Sequence, residues 1–122
     1  MKFRIARHTD NFDPIIKFYT EYLGLSVLGN FENHNNYDGI FIGKEGGDWH
    51  MEFTKSASKA VHKFDDDDLL VFYPQDLAQF NEIIDKFEKS NISNIKPKNP
   101  YWEQNGVAYR DPDGQGVIIV HP

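Results

Sequence analysis

Four side chains on two predicted strands could do chemistry together: Arg4, His8, His50 and Glu52. The alternating segment 3–8 places Arg4 and His8 on one strand face, and segment 49–54 places His50 and Glu52 on one face of another. An imidazole titrates near neutral pH and can serve as a ligand or a general base. A carboxylate can orient a guanidinium, which in turn binds polar or anionic groups. Each pair could therefore contribute to a binding site, and Arg4 and Glu52 could instead form a structural ion pair if their strands lie side by side.

A metal site of unusual design is a weaker alternative. His8, His50, Glu52 and His121 would offer three imidazoles and a carboxylate, which suit a transition metal. Their positions do not follow a compact ligand motif, so the sequence predicts no metal and no cofactor. We expect His34, His62 and His121 to be solvated.

Tyr101 and Trp102 form a second candidate site, on the proline-containing segment 99–102. Two large rings on a loop would be costly to expose, so they must pack against something. The sequence leaves open whether this is a ligand or the core. Aromatic residues make up 15% of the chain, which favours a ring-lined cavity or interface.

Composition excludes several classes of function. The chain has no cysteine, so disulfides, thiol nucleophiles and thiolate zinc sites are excluded. A net charge of −6 with scattered basic residues predicts no nucleic-acid partner. No run is apolar enough for a signal peptide or a membrane span, so we expect a cytoplasmic protein without a membrane partner. The serines lack a nucleophile context, and the acidic run 65–68 lacks the glycine turn of a calcium loop.

The elements that position these residues repeat once along the chain. In the first half, the pattern predicts a strand at 3–8, then a helix, then strands at 25–32, 37–43 and 49–54. Asp13 is predicted to cap this helix, Pro14 to be its first residue and Gly24 to close it. Gly43, Gly46 and Gly47 are assigned to hairpin turns. The second half predicts a buried strand 69–73, a helix from Asp76 to Phe87, a short strand in 91–96 and strands 106–111 and 116–121. The order predicts one α+β domain, residues 1–122, with modules 1–54 and 66–122 joined by linker 55–65.

Three ordered motifs carry a family resemblance: Phe18-Tyr19 with Leu23-Gly24-Leu25, Glu52, and Asp111-Pro112-Asp113-Gly114. They are similar to the FYxxxLGL, ELxx and DPDG signatures of the vicinal oxygen chelate superfamily, which includes glyoxalases, bleomycin resistance proteins and dioxygenases. Longer segments such as FENHNNYDGIFIG and DLLVFYPQDL look like a little-characterised bacterial subgroup. The resemblance implies two βαβββ modules whose mixed sheets curve into a cup.

The resemblance also implies where a metal would bind. Its four ligand positions fall on Arg4, Glu52, Asp68 and Ile118, of which only Glu52 is a typical ligand. Arginine and isoleucine cannot coordinate a metal, so the metal-dependent chemistries of the superfamily are not expected here.

Three hypotheses follow from the sequence. The first is a metal-free module that binds a small aromatic or polar molecule, with Arg4, His8, His50, Glu52, Tyr101 and Trp102 as ligand-binding residues. The second is a metal-dependent lyase, isomerase or dioxygenase that uses non-standard ligands, and the third is an assembly module without a small ligand. The resemblance and the uncovered sheet edges favour a homodimer. Whether any reaction is catalysed stays open.

Overall fold

A computed structural model of the protein describes residues 1–122, and their contacts divide the chain into two units, Met1–Val61 and His62–Pro122. The boundary lies inside the predicted linker 55–65. In the N-terminal unit the elements are β1 (Phe3–His8), α1 (Phe12–Ile16), a π-helical continuation of α1 (Lys17–Tyr22), β2 (Ser26–His34), β3 (Tyr37–Gly43) and β4 (Trp49–Lys55). In the C-terminal unit they are β5 (Leu69–Phe72), α2 (Leu77–Lys89), α3 (Pro100–Asn105), β6 (Gly106–Arg110) and β7 (Gly116–Val120).

Each unit contains one mixed sheet with the same strand order. The N-terminal sheet has the order β1-β4-β3-β2, with β1 parallel to β4 and the other pairs antiparallel. The C-terminal sheet has the order β5-β7-β6, again with a parallel first pair. A single bridge from Ile95 to Ala108 stands where a fourth strand would pair with β6. The predicted α+β fold is confirmed: the first unit is a complete βαβββ module, and the second follows the same order with one strand reduced to this bridge.

One face of the N-terminal sheet is covered by the helix. Ile40, Ile42, Met51 and Phe53 alternate along β3 and β4 and are buried. The Tyr19 ring from the helix is buried as well and lies 5.6 Å from the Phe53 ring. Because neighbouring positions on a strand point to opposite faces, His50, Glu52 and Thr54 must occupy the other side of the sheet.

The C-terminal core is built in the same way, from α2 against the sheet. Phe87 is fully buried and stacks on Tyr109 with 3.8 Å between the ring centroids. Burial, helped by the negative charge of Glu88, raises the pKa of Tyr109 to about 12. On β7, Val117, Ile118 and Ile119 are each 0% exposed, so both faces of this strand are covered.

Several local predictions are corrected by the structure. The first helix is capped by the Asn11 side chain, which accepts from the Asp13 amide, so the predicted cap at Asp13 was wrong. Segment 99–102 is not a loop: Asn99 caps α3 and Pro100 begins it. Gly43 is a residue of β3 and not of a turn.

The other differences concern the extent of strands. The short strand predicted in 91–96 is reduced to the bridge at Ile95. The strand predicted as buried at 69–73 ends at Phe72 and is only half-buried along its length. By contrast, the caps at Gly24 (φ +74°) and Asp76 are confirmed. None of the helices has the length and apolar character that a membrane span requires.

Candidate functional site

The register between β1 and β4 brings the predicted site residues of the N-terminal unit together. Arg4 lies opposite His50, and His8 lies opposite Thr54. On the other side of β4, Phe41 of β3 pairs with Glu52. We call the shared side the polar face of the N-terminal sheet, and its residues are Arg4, His8, Phe31, Phe41, His50, Glu52 and Thr54.

Arg4 is held in place by three neighbours on the polar face. Its Nε donates to Nε2 of His50 at 2.9 Å, and its Nη1 donates to Oε2 of Glu52 at 3.1 Å. The guanidinium carbon also lies 4.9 Å from the centroid of the Phe41 ring, within the range of a cation–π contact. The Arg4–Glu52 pair expected from the sequence is therefore present. Half of the Arg4 side chain remains exposed, whereas that of Glu52 is 14% exposed.

The bond from Arg4 fixes the hydrogen-bonding role of His50. A guanidinium stays charged and can only donate, so Nε2 of His50 must accept. In this arrangement the ring hydrogen is on Nδ1. The outcome is a polar pair that presents two donors, Nη2 of Arg4 and Nδ1 of His50, neither of which makes a hydrogen bond within the protein.

His8 is bound differently, although it shares the polar face. Its Nδ1 lies 2.8 Å from Oγ1 of Thr54, and its Nε2 lies 3.2 Å from Oγ of Ser56 and 3.1 Å from the Ser58 carbonyl oxygen. Both ring nitrogens thus contact the chain itself and tie β1 to the segment after β4. The ligand-binding role of His8 stays a prediction.

Two aromatic rings of the polar face pack beside glycines of β2 and β3, and one of them occupies space that only glycine leaves open. A Cβ atom at Gly39 would overlap the Phe31 ring, and one at Gly29 would lie 3.5 Å from the Phe41 ring. The two rings are 5.9 Å apart. Glycine inside a strand often marks such a close approach, and this signal was missed in the sequence.

The overlap at Gly39 predicts a difference between two glycines of the same hairpin. Gly39→Ala should lower the free energy of unfolding by about 1–3 kcal/mol, because the added methyl group displaces the Phe31 ring. Gly29→Ala is the matched control, since its Cβ meets Phe41 at an ordinary contact distance. Urea unfolding measures both variants. Equal losses would show that Phe31 does not lie over Gly39.

A cavity of about 550 Å³ opens beside Arg4 and His50. Its apolar wall is formed by Phe41 with Val27 and Leu28 of β2. Its remaining lining is Lys2, Arg4, Ser26, His50 and the turn Lys44–Asp48 between β3 and β4. All of these residues belong to the N-terminal unit, so the cavity is complete within it.

The residues at the implied metal positions do not fit a metal ion. Arg4 is a cation that already engages both His50 and Glu52. The carboxylate of Asp68 accepts the Asp65 amide in its own turn, and Ile118 is fully buried. No group of three or more histidine, aspartate or glutamate side chains is arranged to hold a metal. A guanidinium at the centre of the donor set would repel a divalent cation.

Tyr101 and Trp102 lie in the C-terminal unit, on α3. Their rings meet edge to face at 4.8 Å, and Tyr101 is 59% exposed. Asn99 accepts the Tyr101 amide and so fixes the start of the helix. The ligand-binding role of both rings stays a prediction.

Comparison with known proteins identifies two matching family models that together span most of the chain. Residues 3–54 match the YycE-like N-terminal domain, and residues 67–121 match the YycE-like C-terminal domain. The chain is 38% identical over 122 residues to the uncharacterized protein YycE of Bacillus subtilis, and the aligned region covers 97% of this chain and 86% of that protein.

Solved structures extend the similarity to the fold. A crystal structure of a YycE protein of unknown function from Bacillus subtilis superposes with a TM-score of 0.87 at 37% identity, covering 99% of this chain and 89% of that one. Glyoxalase I of Leishmania major superposes with a TM-score of 0.74 at 20% identity, covering 97% of this chain and 84% of that one. The fosfomycin resistance protein FosX of Mesorhizobium loti superposes with a TM-score of 0.69 at 11% identity, covering 98% of this chain and 89% of that one. The last two show a common fold alone.

Proposed function

The chain belongs to the YycE-like family and has the fold of the vicinal oxygen chelate superfamily, and from this premise we propose that it is a metal-free module that binds a small molecule. The proposed binding surface is the polar face of the N-terminal sheet with the cavity beside it. The proposal follows the drug-sequestering members of the superfamily rather than its enzymes.

The observation that carries the proposal is the position of Arg4. At a position where the family resemblance implies a metal ligand, this chain has a guanidinium bonded to His50 and Glu52. A charged pair that only filled a former metal site would be expected to be closed to solvent. Here the Arg4 side chain is half exposed and adjoins a cavity large enough for a small organic molecule. This supports binding by Arg4 in place of a metal.

The two other hypotheses have less support. A metal-dependent lyase, isomerase or dioxygenase would need ligands that the site lacks within bonding distance of one another. A module that serves only in an assembly would not require a cavity between charged and aromatic side chains. A homodimer and a cytoplasmic location remain predictions. Phe3 and Ile5, both exposed on the edge strand β1, are the surface that we expect a second copy to cover.

Removal of metal tests the proposal. The purified protein should contain no stoichiometric zinc, nickel or iron by elemental analysis, and chelator should leave its Tm unchanged. An ion bound only to the folded form would stabilise it by mass action, so its removal would lower the Tm by several degrees. Such a drop, reversed by adding zinc or nickel, would overturn the metal-free proposal in favour of an enzyme.

A further inference from the structure

The wall of the cavity formed by Arg4 and His50 has hydrogen-bond donors available to a ligand. Nη2 of Arg4 is free of hydrogen bonds, and the bond between Arg4 and Nε2 of His50 leaves the His50 hydrogen on Nδ1. The carboxylate of Glu52 is not among the lining groups and is already paired with Arg4. A ligand group placed at this wall would therefore have to accept hydrogen bonds.

The rim of the cavity carries charges of both signs. Lys2 and Lys44 stand against Glu45 and Asp48, and all four are exposed. Exposed charges are screened by salt and contribute little to discrimination between ligands. Arg4 is also half exposed, but its guanidinium is held in a fixed position by His50, Glu52 and Phe41, which favours the donors of Arg4 and His50 as the groups that select the ligand.

The part of the lining next to Arg4 and His50 is apolar. Val27 and Leu28 are 43% and 40% exposed, and Phe41 contacts both the Arg4 guanidinium and the His50 ring. A flat apolar group on a ligand would cover these side chains and remove them from water.

We propose that the ligand is an aromatic or otherwise flat apolar acid, whose carboxylate, phosphonate or phosphate accepts hydrogen bonds from Arg4 and His50. The apolar part lies against Phe41, Val27 and Leu28. This inference rests on the proposed function and adds the chemical class of the ligand. An anionic acceptor forms a stronger hydrogen bond with a guanidinium than a neutral acceptor does. A cationic ligand would meet Arg4 and would be repelled.

Four aryl probes of similar size test the inference: benzoate, phenylphosphonate, benzamide and benzylammonium. Each is titrated into the full-length protein at constant ionic strength and followed by two-dimensional NMR. We expect benzoate and phenylphosphonate to shift the signals of Arg4, Phe41 and His50, and to bind at least about tenfold more tightly than benzamide. Benzylammonium should not shift these signals.

Two variants separate the donors from the rim. His50→Phe keeps a ring beside Phe41 but lacks the Nδ1 hydrogen, so the preference for benzoate over benzamide should shrink to about threefold or less. Lys44→Gln removes one of the two rim lysines and should reduce the preference for benzoate over benzamide by less than His50→Phe does, and a larger reduction would overturn the assignment of the acid to Arg4 and His50. Lys89→Gln, at the end of α2 in the other unit, is the control and should have no effect.

The outcomes of these titrations and of metal analysis distinguish the inference about an acidic ligand from the proposed function. Equal binding of benzamide and benzoate on the polar face overturns the inference about the acid and leaves the proposed function standing. Preference for benzylammonium, shifts confined to another surface, or no shift at the solubility limit of every probe also overturns the inference. A stoichiometric metal in the purified protein overturns the proposed function itself.

Discussion

Replacing Arg4 by glutamine is expected to weaken the binding of benzoate and phenylphosphonate by at least about tenfold. Glutamine keeps a polar group on β1 but removes the positive charge. It also removes the Nε and Nη1 groups that donate to His50 and Glu52, and the Nη2 group that makes no hydrogen bond within the protein. The variant should bind benzamide almost as well as benzoate, because the charged donor that separates the two is gone. NMR titration with both probes measures the effect.

Arg110→Gln is the matched control for this substitution. Arg110 pairs with Asp66 at 3.2 Å, and its side chain is 45% exposed, close to the 50% of Arg4. Loss of either half-exposed ion pair should cost about 1 kcal/mol of stability or less. Only the Arg4 variant should lose affinity for the acids. An Arg4 variant with wild-type affinity would show that the guanidinium is a structural group, whatever else binds to the cavity.

Replacing Ile118 by alanine is expected to lower the free energy of unfolding by about 2–5 kcal/mol. The residue is 0% exposed and lies between Val71 of β5 and Ala108 of β6 in the sheet. Its removal would leave a cavity in a close-packed interior, and the Tm should fall by several degrees. Urea and thermal unfolding measure the change.

Val120→Ala is the matched control on the same strand. Val120 is only half-buried, so its truncation should cost about 1 kcal/mol or less. A loss at Ile118 no larger than at Val120 would mean that this position tolerates change, as a position lining a ligand site would. In that case Ile118 would not be a core residue, and its place at the position of a family metal ligand would need another explanation.

The faces of the N-terminal strands could be predicted from the sequence because strand periodicity is simple. Alternation alone placed Arg4 with His8 and His50 with Glu52, and the parallel register of β1 and β4 then joined the two pairs. The direction of the hydrogen bond between Arg4 and His50 could not be predicted, since it depends on the distance between two side chains from distant parts of the chain. The donor character of the site emerged only from that bond.

Helix ends show why local rules succeed and fail. An asparagine or aspartate followed by proline is a helix-start signal, which was used at Asp13-Pro14 but overlooked at Asn99-Pro100, where a loop was predicted. The rule fits Asn99, where the asparagine caps and the proline begins α3. At the first helix, Asn11 takes the cap and the helix starts one residue before Asp13. A cap signal identifies a helix start to within a few residues, and tertiary packing selects among the candidates.

The polar face also depends on features that periodicity does not report. Gly39 looks unfavourable inside a strand until the Phe31 ring that packs over it is known. The π-helical segment Lys17–Tyr22 buries Phe18, Tyr19 and Tyr22, and the sequence did not predict its wider turn. In both cases the backbone is adapted to the side chains packed against it.

A crystal structure of the protein grown with phenylphosphonate and an equal concentration of zinc would test the central claim most directly. The account predicts phosphonate oxygens within hydrogen-bond distance of Nη2 of Arg4 and Nδ1 of His50, with the Arg4–Glu52 pair intact. The phenyl ring should lie against Phe41, and no zinc should be bound there. A zinc ion bound by His50 and Glu52, with Arg4 displaced from both, would contradict the claim that a guanidinium serves in place of the metal.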